Sequence, residues 1–215
     1  MMAISGEGQC LVPLHLRGRR TIVPFWQTGG CPGSIPDAIL DIAENCSMGL
    51  PLVLTLKLDQ TTFEPFNQLR QQHFPPDRNF LSAHVTLFHA LSGEEETQIQ
   101  QELAAVCSRT PRLPLQFPTL RFLGRGVAIE VQSSELIHLR QSLAKTWGTW
   151  LTAQDQQGYR PHITIQNKVP AQTARQLYDQ LLQDWQSIDG YGEGLLLWHY
   201  QGGPWTLAGE FLFLE

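Results

Sequence analysis

The pattern of apolar and polar residues changes abruptly near Met48. Residues 1–47 show no sustained hydrophobic period, apart from a possible short helix over 36–45. The run from Leu52 to Leu58 is aliphatic and partly alternating, which is typical of a strand. We therefore expect residues 48–215 to form the folded domain and residues 1–47 to be an N-terminal tail outside its core.

Helical and strand-like periods alternate along the rest of the chain. The patterns predict helices over 61–74, 94–108, 135–151 and 173–185, and strands over 82–90, 115–123, 126–132, 162–167, 194–200 and 206–213. Both halves end in the order helix, strand, helix, so the chain resembles a rough internal duplication. We expect an α+β fold with two lobes. Two antiparallel sheets with helices outside would be related by approximate two-fold symmetry around a central cleft.

Each half carries a His-x-Thr sequence on a predicted strand. The first is His84-Val85-Thr86 and the second is His162-Ile163-Thr164. Side chains two positions apart on a strand point to the same face, so each histidine shares a face with its threonine while the aliphatic residue packs behind. Chance supplies about 0.5 such matches in a chain of this composition. Two matches, each ahead of a predicted helix, indicate a shared site.

Two histidines and two threonines suit the chemistry of a phosphate ester. Histidine titrates near neutral pH, so one copy can take a proton while the other gives one. Threonine hydroxyls can donate to phosphate oxygens. We therefore predict that His84 and His162 are an acid–base pair, with either one as the base, and that Thr86 and Thr164 hold the phosphate. Arg160 is a further candidate for substrate binding.

The paired motifs resemble those of the 2H phosphoesterase superfamily, in particular the branch of bacterial 2′-5′ RNA ligases and cyclic phosphodiesterases. The resemblance runs from about Leu50 to the C terminus and includes the phrases RPHITIQNKV, from Arg160, and LWHYQGGPW, from Leu197. One departure is Ala83, because the better-studied ligases carry proline before the first motif histidine. Pro161 fills the equivalent place in the second motif.

This resemblance implies a bilobal α+β fold and an active site between the lobes that uses neither a metal nor a cofactor. It implies that His84 and His162 are the catalytic pair and that Thr86 and Thr164 hold the phosphate. We expect the substrate to be an RNA end or a small nucleotide with a 2′,3′-cyclic phosphate, with 2′-5′ ligation as a possible reverse reaction. No obligate protein partner is implied.

Two other classes compete with this interpretation. A non-catalytic module could bind RNA ends or nucleotides through the same residues. A metal-dependent hydrolase would need three or four clustered ligands, and the sequence contains neither HxH nor HExxH. Loss of activity in EDTA would favour the metal.

Charge and composition narrow the range of ligands and locations expected for the protein. The formal net charge of −5 does not favour a protein that wraps long nucleic acid by neutralising phosphates. It leaves room for a pocket that holds one phosphate with local donors. The sequence shows no apolar run of about 20 residues, no signal peptide and no CxxC pair. We therefore expect a cytoplasmic protein without a membrane partner.

Several other side chains are weaker candidates. His89 lies five positions after His84, so we expect it on the opposite face of the strand in a structural role. Three aromatic residues are candidates to stack on a base: Phe88, Tyr159 and Trp198. Three cations are candidates for a basic rim: Arg121, Arg125 and Lys168.

Overall fold

A computed structural model describes residues 11–16, 19–24 and 49–214, with side-chain environments for the last range. The chain divides into two compact units, Met1–Ser47 and Met48–Glu215. In the first unit, β1 (Leu11–Leu16) pairs antiparallel with β2 (Arg19–Pro24). The short helix predicted over 36–45 lies outside the described residues. That the first unit is a dispensable tail stays a prediction.

The second unit mixes strands with four helices among its described residues. The strands are β3 (Leu52–Leu58), β4 (Val85–Leu91), β5 (Leu113–Phe117), β6 (Leu120–Phe122), β7 (Val127–Glu130), β8 (His162–Gln166), β9 (Ile188–Tyr200) and β10 (Trp205–Leu212). The helices are α1 (Gln60–His73), α2 (Glu96–Cys107), α3 (Ser134–Thr146) and α4 (Ala171–Gln183). Short 3-10 turns precede β4 and α2. The expected α+β class is confirmed.

The strands of this unit form an antiparallel sheet in the order β10-β9-β3-β4-β8-β7-β6, with β5 paired to the first part of β9. One half of the sheet, β10-β9-β3-β4, meets the other, β8-β7-β6, where Val85 pairs with Ile163. The two expected sheets are therefore only partly separate. The two motif strands themselves join them.

Buried aliphatic and aromatic side chains pack between the sheet and its helices. Leu54 of β3 and Leu197 of β9 are fully buried on the sheet, and each helix buries an apolar face against it. Burying one such side chain contributes about 1.5–3 kcal/mol. This packing fixes the strands that carry the two histidines.

Helix α1 begins at Asp59 as its N-cap, whose carboxylate accepts the backbone N–H of Thr62 at 3.1 Å. The sequence predicts this helix from residue 61, and it begins one residue earlier, at Gln60. Asp59 also accepts the backbone N–H of Tyr191 at 2.7 Å, so the cap joins α1 to β9. This contact with a distant strand is not visible in the local sequence.

Helix α3 ends at Thr146, several residues before the predicted end at Leu151. Trp147 follows it, is fully buried, and donates its indole N–H to Glu102 of α2. The buried indole anchors the chain where the helix ends.

Candidate active site

The two His-x-Thr motifs lie side by side on neighbouring strands. Because Val85 pairs with Ile163 in antiparallel register, His84 lies opposite Thr164, and Thr86 lies opposite His162. Opposite Cβ atoms in such a pair are about 4.5–5.5 Å apart and diagonal ones about 7–8 Å. The histidines therefore occupy one diagonal of a four-residue square, and the threonines occupy the other.

All four side chains line one cleft of about 780 Å³, and Arg160 lines it too. Val85 and Ile163 are fully buried on the other face of the sheet. The structure thus brings together all five predicted site residues: His84, Thr86, Arg160, His162 and Thr164. The cleft therefore holds two imidazoles, two hydroxyls and one guanidinium, the groups that the predicted phosphate site requires.

Each motif histidine is held by the same backbone contact. His84 Nδ1 lies 2.7 Å from the carbonyl oxygen of Ser82, and His162 Nδ1 lies 2.9 Å from that of Arg160. In both cases the carbonyl belongs to the residue two positions earlier. A carbonyl can only accept, so Nδ1 carries the proton and Nε2 is left for a ligand. The two histidines present equivalent nitrogen atoms.

Helix α1 positions both motifs. Asn67 accepts the backbone N–H of Ala83 at 3.0 Å, directly before His84. The guanidinium of Arg70 donates to the carbonyl of Leu81 at 2.9 Å and to that of Thr164 at 2.6 Å. One buried arginine therefore contacts the segment before the first motif and the second motif itself.

Burial and nearby positive charge favour the neutral form of both motif histidines. Burial and, to a smaller extent, the charge of Arg70 lower the pKa of His84 to about 4, although its hydrogen bond with the carbonyl of Ser82 opposes this shift. Burial also lowers the pKa of His162, and Arg121 adds to this, while Glu130 opposes it. A bound phosphate anion would stabilise the imidazolium forms and raise both pKa values.

Two arginines flank the second motif. Arg121 forms an ion pair with Glu130 at 2.8 Å and donates to the carbonyl of Arg160 at 3.4 Å, the same oxygen that holds His162. The side chain of Arg160 is exposed and has no hydrogen-bonding partner within residues 49–214. Arg160 is therefore free to bind an anion, whereas Arg121 is already partly engaged.

The rest of the expected basic rim is absent from the cleft lining. Arg125 donates to the carbonyl of Val169 at 3.2 Å, and Lys168 lies on a tight turn with a positive φ of 59°. Within the described part of the chain neither lines the cleft, and Asn167 lines it instead.

His89 lies in the cleft, so the expectation that it faces away from the site is wrong. Leu54 pairs with Phe88, but the next residue of β3 pairs with Thr86, so β4 carries an irregularity between these positions. Leu87 and Phe88 are both buried, which restarts the alternation and returns His89 to the cleft face. The sequence carries one signal of this irregularity, because Leu87 and Phe88 are adjacent apolar residues in an otherwise alternating strand.

The aromatic candidates divide into three cases. Phe88 is fully buried against Trp147, so it cannot stack on a base and that expectation is wrong. Tyr159 lines the main cleft. Trp198 lines a second cavity of about 380 Å³, which shares His84 and Trp205 with the cleft. Trp205, which the sequence analysis missed, lies with its ring centroid 5.0 Å from that of His84.

The second cavity has a largely apolar lining. Phe63 and Phe80 face it together with the two tryptophans, and Phe80 is 63% exposed. It begins beside Ala83 and His84, at the start of β4. A flat aromatic group could therefore lie next to a phosphate bound by the histidines.

Two features are absent from the described residues. Across residues 49–214, no cluster of three or more histidine, cysteine, aspartate or glutamate side chains is arranged to hold a metal ion. None of the described helices has the length and apolar character to cross a membrane.

An α+β sheet that joins two His-x-Thr strands at one cleft defines a protein of the 2H phosphoesterase class. The sequence profile of the 2′-5′ RNA ligase superfamily matches residues 58–204 of the chain. The chain therefore belongs to this superfamily, and the resemblance of its motifs is confirmed. This membership supports a phosphoesterase-type activity.

Solved structures with the same fold include TT0787 of Thermus thermophilus, which is 14% identical with a TM-score of 0.55, over 76% of this chain and 98% of that one. A protein described as a phosphoesterase is 17% identical with a TM-score of 0.51, over 78% and 99%. E. coli LigT complexed with NADP+ is 17% identical with a TM-score of 0.50, over 77% and 99%. At these identities the likeness shows the fold alone. No curated protein sequence matches the chain significantly.

Proposed function

We propose that this chain is a metal-independent phosphoesterase that opens 2′,3′-cyclic phosphates on RNA ends or nucleotides, with His84 and His162 as its acid–base pair. The observation that carries the proposal is the repeated geometry of the two histidines. Each has Nδ1 held by a backbone carbonyl and lies opposite a threonine of the other motif. Joining of RNA ends in 2′-5′ linkage would use the same ring opening, with the 5′-hydroxyl of a second RNA in place of water.

The hydrolytic step needs two proton transfers. The Nε2 atom of the neutral histidine takes a proton from water as the water oxygen bonds to phosphorus. The protonated histidine gives its proton to the ribose oxygen as the phosphorus–oxygen bond to that oxygen breaks. The products are a phosphomonoester and a free hydroxyl, and the two histidines have exchanged protonation states.

The structure favours one assignment of these roles. The pKa of His84 is lowered to about 4, the larger of the two shifts, so His84 stays neutral most readily and suits the base. The pKa of His162 is also lowered, chiefly by burial, but Glu130 opposes that shift, so His162 carries a proton more readily than His84 and suits the acid. In ligation the base would take its proton from the attacking 5′-hydroxyl and the acid would again protonate the leaving 3′ oxygen, so the roles would exchange only when a 2′-5′ linkage is cleaved.

The remaining groups of the cleft would hold the substrate. Within residues 49–214, no side-chain or backbone group forms a hydrogen bond with the hydroxyls of Thr86 and Thr164, so both can donate to phosphate oxygens. Arg160 can add a charge-assisted contact. The base would stack in the second cavity on Trp198 or Trp205. The complex of E. coli LigT with NADP+ supports a nucleotide as the class of ligand.

The test is hydrolysis of a substrate panel by the full chain in EDTA. The panel contains 2′,3′-cyclic mononucleotides, oligoribonucleotides with a cyclic phosphate end, and 3′,5′-cyclic nucleotides as matched controls. We expect turnover of the first two groups and a single product isomer, which identifies the bond that breaks. Activity that EDTA abolishes would point to a metal enzyme. Nucleotide binding without any turnover would point to a binding module.

A further inference from the structure

A third histidine in the cleft has no part in the two-histidine mechanism. The side chain of His89 is 50% exposed and lines the cleft with both motif histidines. Its Nδ1 lies 3.0 Å from a carboxylate oxygen of Asp155, whose side chain is 1% exposed. Because Asp155 accepts from Nδ1, the Nε2 atom is the one left for a ligand.

The carboxylate of Asp155 does not need the imidazole to be satisfied. It already accepts the backbone N–H of His89 at 2.9 Å and that of Ala90 at 3.0 Å. Burial raises the pKa of Asp155, but the hydrogen bonds from the His89 ring and from the two backbone N–H groups together outweigh it and lower the pKa. The contact with the ring is therefore additional, and its effect is to fix the orientation of an exposed imidazole.

A buried arginine supports this arrangement from below. Arg140 is 7% exposed and donates to the backbone carbonyl of Asp155. Its guanidinium also lies over the rings of Phe88, at 4.6 Å, and Tyr159, at 5.2 Å. Asp155 and the end of β4 are thus held rigidly, and a positive charge lies at this end of the cleft.

The charges around the cleft favour an anion beside His89. Three arginines and three histidines line it, whereas Asp155 is the one acidic residue among its described lining residues, and it is buried. His89 lines the same cleft as His84 and His162, so a ligand that spans the cleft could reach all three.

We propose that His89, oriented by Asp155, binds a second phosphate of the substrate, next to the phosphate under attack. This inference rests on the proposed function and adds a preference for nucleotides that carry that second group. The second cavity begins beside Ala83 and His84 at the start of β4, and His89 lies near the end of that strand. The base and the second phosphate would thus extend in opposite directions from the square of two histidines and two threonines.

Binding of three product-like ligands to the full chain tests this by calorimetry. The ligands are adenosine 3′-monophosphate, adenosine 3′,5′-bisphosphate and the dinucleotide ApAp. We expect the wild type to bind at least one of the two larger ligands about 10-fold more tightly than the monophosphate, equivalent to about 1.4 kcal/mol. Tighter binding of the bisphosphate would mean that the second group is a terminal phosphate. Tighter binding of ApAp would mean that it is the phosphodiester that links two nucleotides.

Two substitutions then assign the preference to the imidazole. His89→Phe is expected to remove the 10-fold preference, whereas His89→Gln, which keeps an N–H donor, retains part of it. His138→Phe is the matched control, because His138 is exposed on α3 and lies outside the cleft lining. Melting curves check that each variant is folded.

Three results would overturn the assignment. They are equal affinity of the wild type for all three ligands, no binding of any of them, and an equal loss for every ligand in His89→Phe. The last result would mean that His89 only supports the site as a whole. Failure of the wild type to hydrolyse cyclic phosphates would instead contradict the proposed function. The binding preference would then still decide whether His89 binds a second phosphate.

Discussion

Arg70 contributes to the site in two ways, by positioning the two motifs and by lowering the pKa of His84, and removal of its guanidinium would separate these effects. Arg70 is 4% exposed and donates to the carbonyls of Leu81 and Thr164 and to the side chain of Asn79 at 3.0 Å. Within residues 49–214 no carboxylate lies within ion-pair distance of it. Arg70→Met keeps an unbranched, largely apolar side chain similar to the aliphatic part of arginine, but the charge and every donor are lost.

The effect of Arg70→Met on stability follows from these contacts. A hydrogen bond from a charged donor contributes about 1.5–3 kcal/mol, and an acceptor left unpaired in the interior costs about 1–3 kcal/mol. Removal of an unpaired buried charge offsets part of this loss. We expect the free energy of unfolding in urea to fall by roughly 2–4 kcal/mol.

The same substitution should change the pH dependence of catalysis. The charge of Arg70 lowers the pKa of His84, so its removal raises that pKa. The acidic limb of the kcat/KM profile, which reports the base of the free enzyme, should move to higher pH. Arg70→Lys keeps a positive charge but not the two-pronged donor, so it should lose stability and leave the acidic limb nearly in place.

Arg78→Met is the control, because Arg78 is exposed and pairs only loosely with its neighbour Asp77, at 3.4 Å. It should leave stability and the pH profile unchanged. An Arg70→Met protein that is as stable as the wild type would refute the positioning role. An acidic limb that stays in place or moves to lower pH would refute the electrostatic one.

Two further predictions concern the threonines and the N-terminal unit. Thr86→Val and Thr164→Val keep the shape of each side chain but remove its donor to phosphate, so each should lower kcat/KM by about 10-fold or more. The control is Thr146→Val, on the exposed end of α3. Full activity in both site variants would contradict the phosphate-holding role. Deletion of residues 1–47 should leave the melting temperature and the activity of 48–215 unchanged, whereas loss of soluble protein would show that the first unit is needed.

The shared face of each histidine and its threonine was predictable because it depends on local rules. Alternation along a strand places His84 with Thr86 and His162 with Thr164, and this needs no knowledge of tertiary structure. The rough duplication of the chain predicts that the two motifs share a site between two sheets, but not that β4 and β8 are hydrogen-bonded neighbours in one sheet. The pairing of Val85 with Ile163, which places the two histidines diagonally across from each other, is visible only in the fold.

The residues that were missed depend on long-range contacts or on local irregularity. Arg70 reaches Thr164, which is 94 positions away, and Asp155 reaches His89, which is 66 positions away. No period in the sequence reports such pairs. His89 was placed on the wrong face because the irregularity in β4 breaks the alternation on which the expectation rested. Trp205 enters the site only because β10 folds back on β9.

The central claim is that the two motif histidines perform the proton transfers. The most direct measurement is the kcat of His84→Ala and His162→Ala on a 2′,3′-cyclic nucleotide in EDTA, with His138→Ala as the surface control. Each site variant should lose about 100-fold or more in kcat, the size expected when a general acid or base is removed, while the control keeps the activity of the wild type. Wild-type turnover that survives either substitution would contradict the two-histidine mechanism.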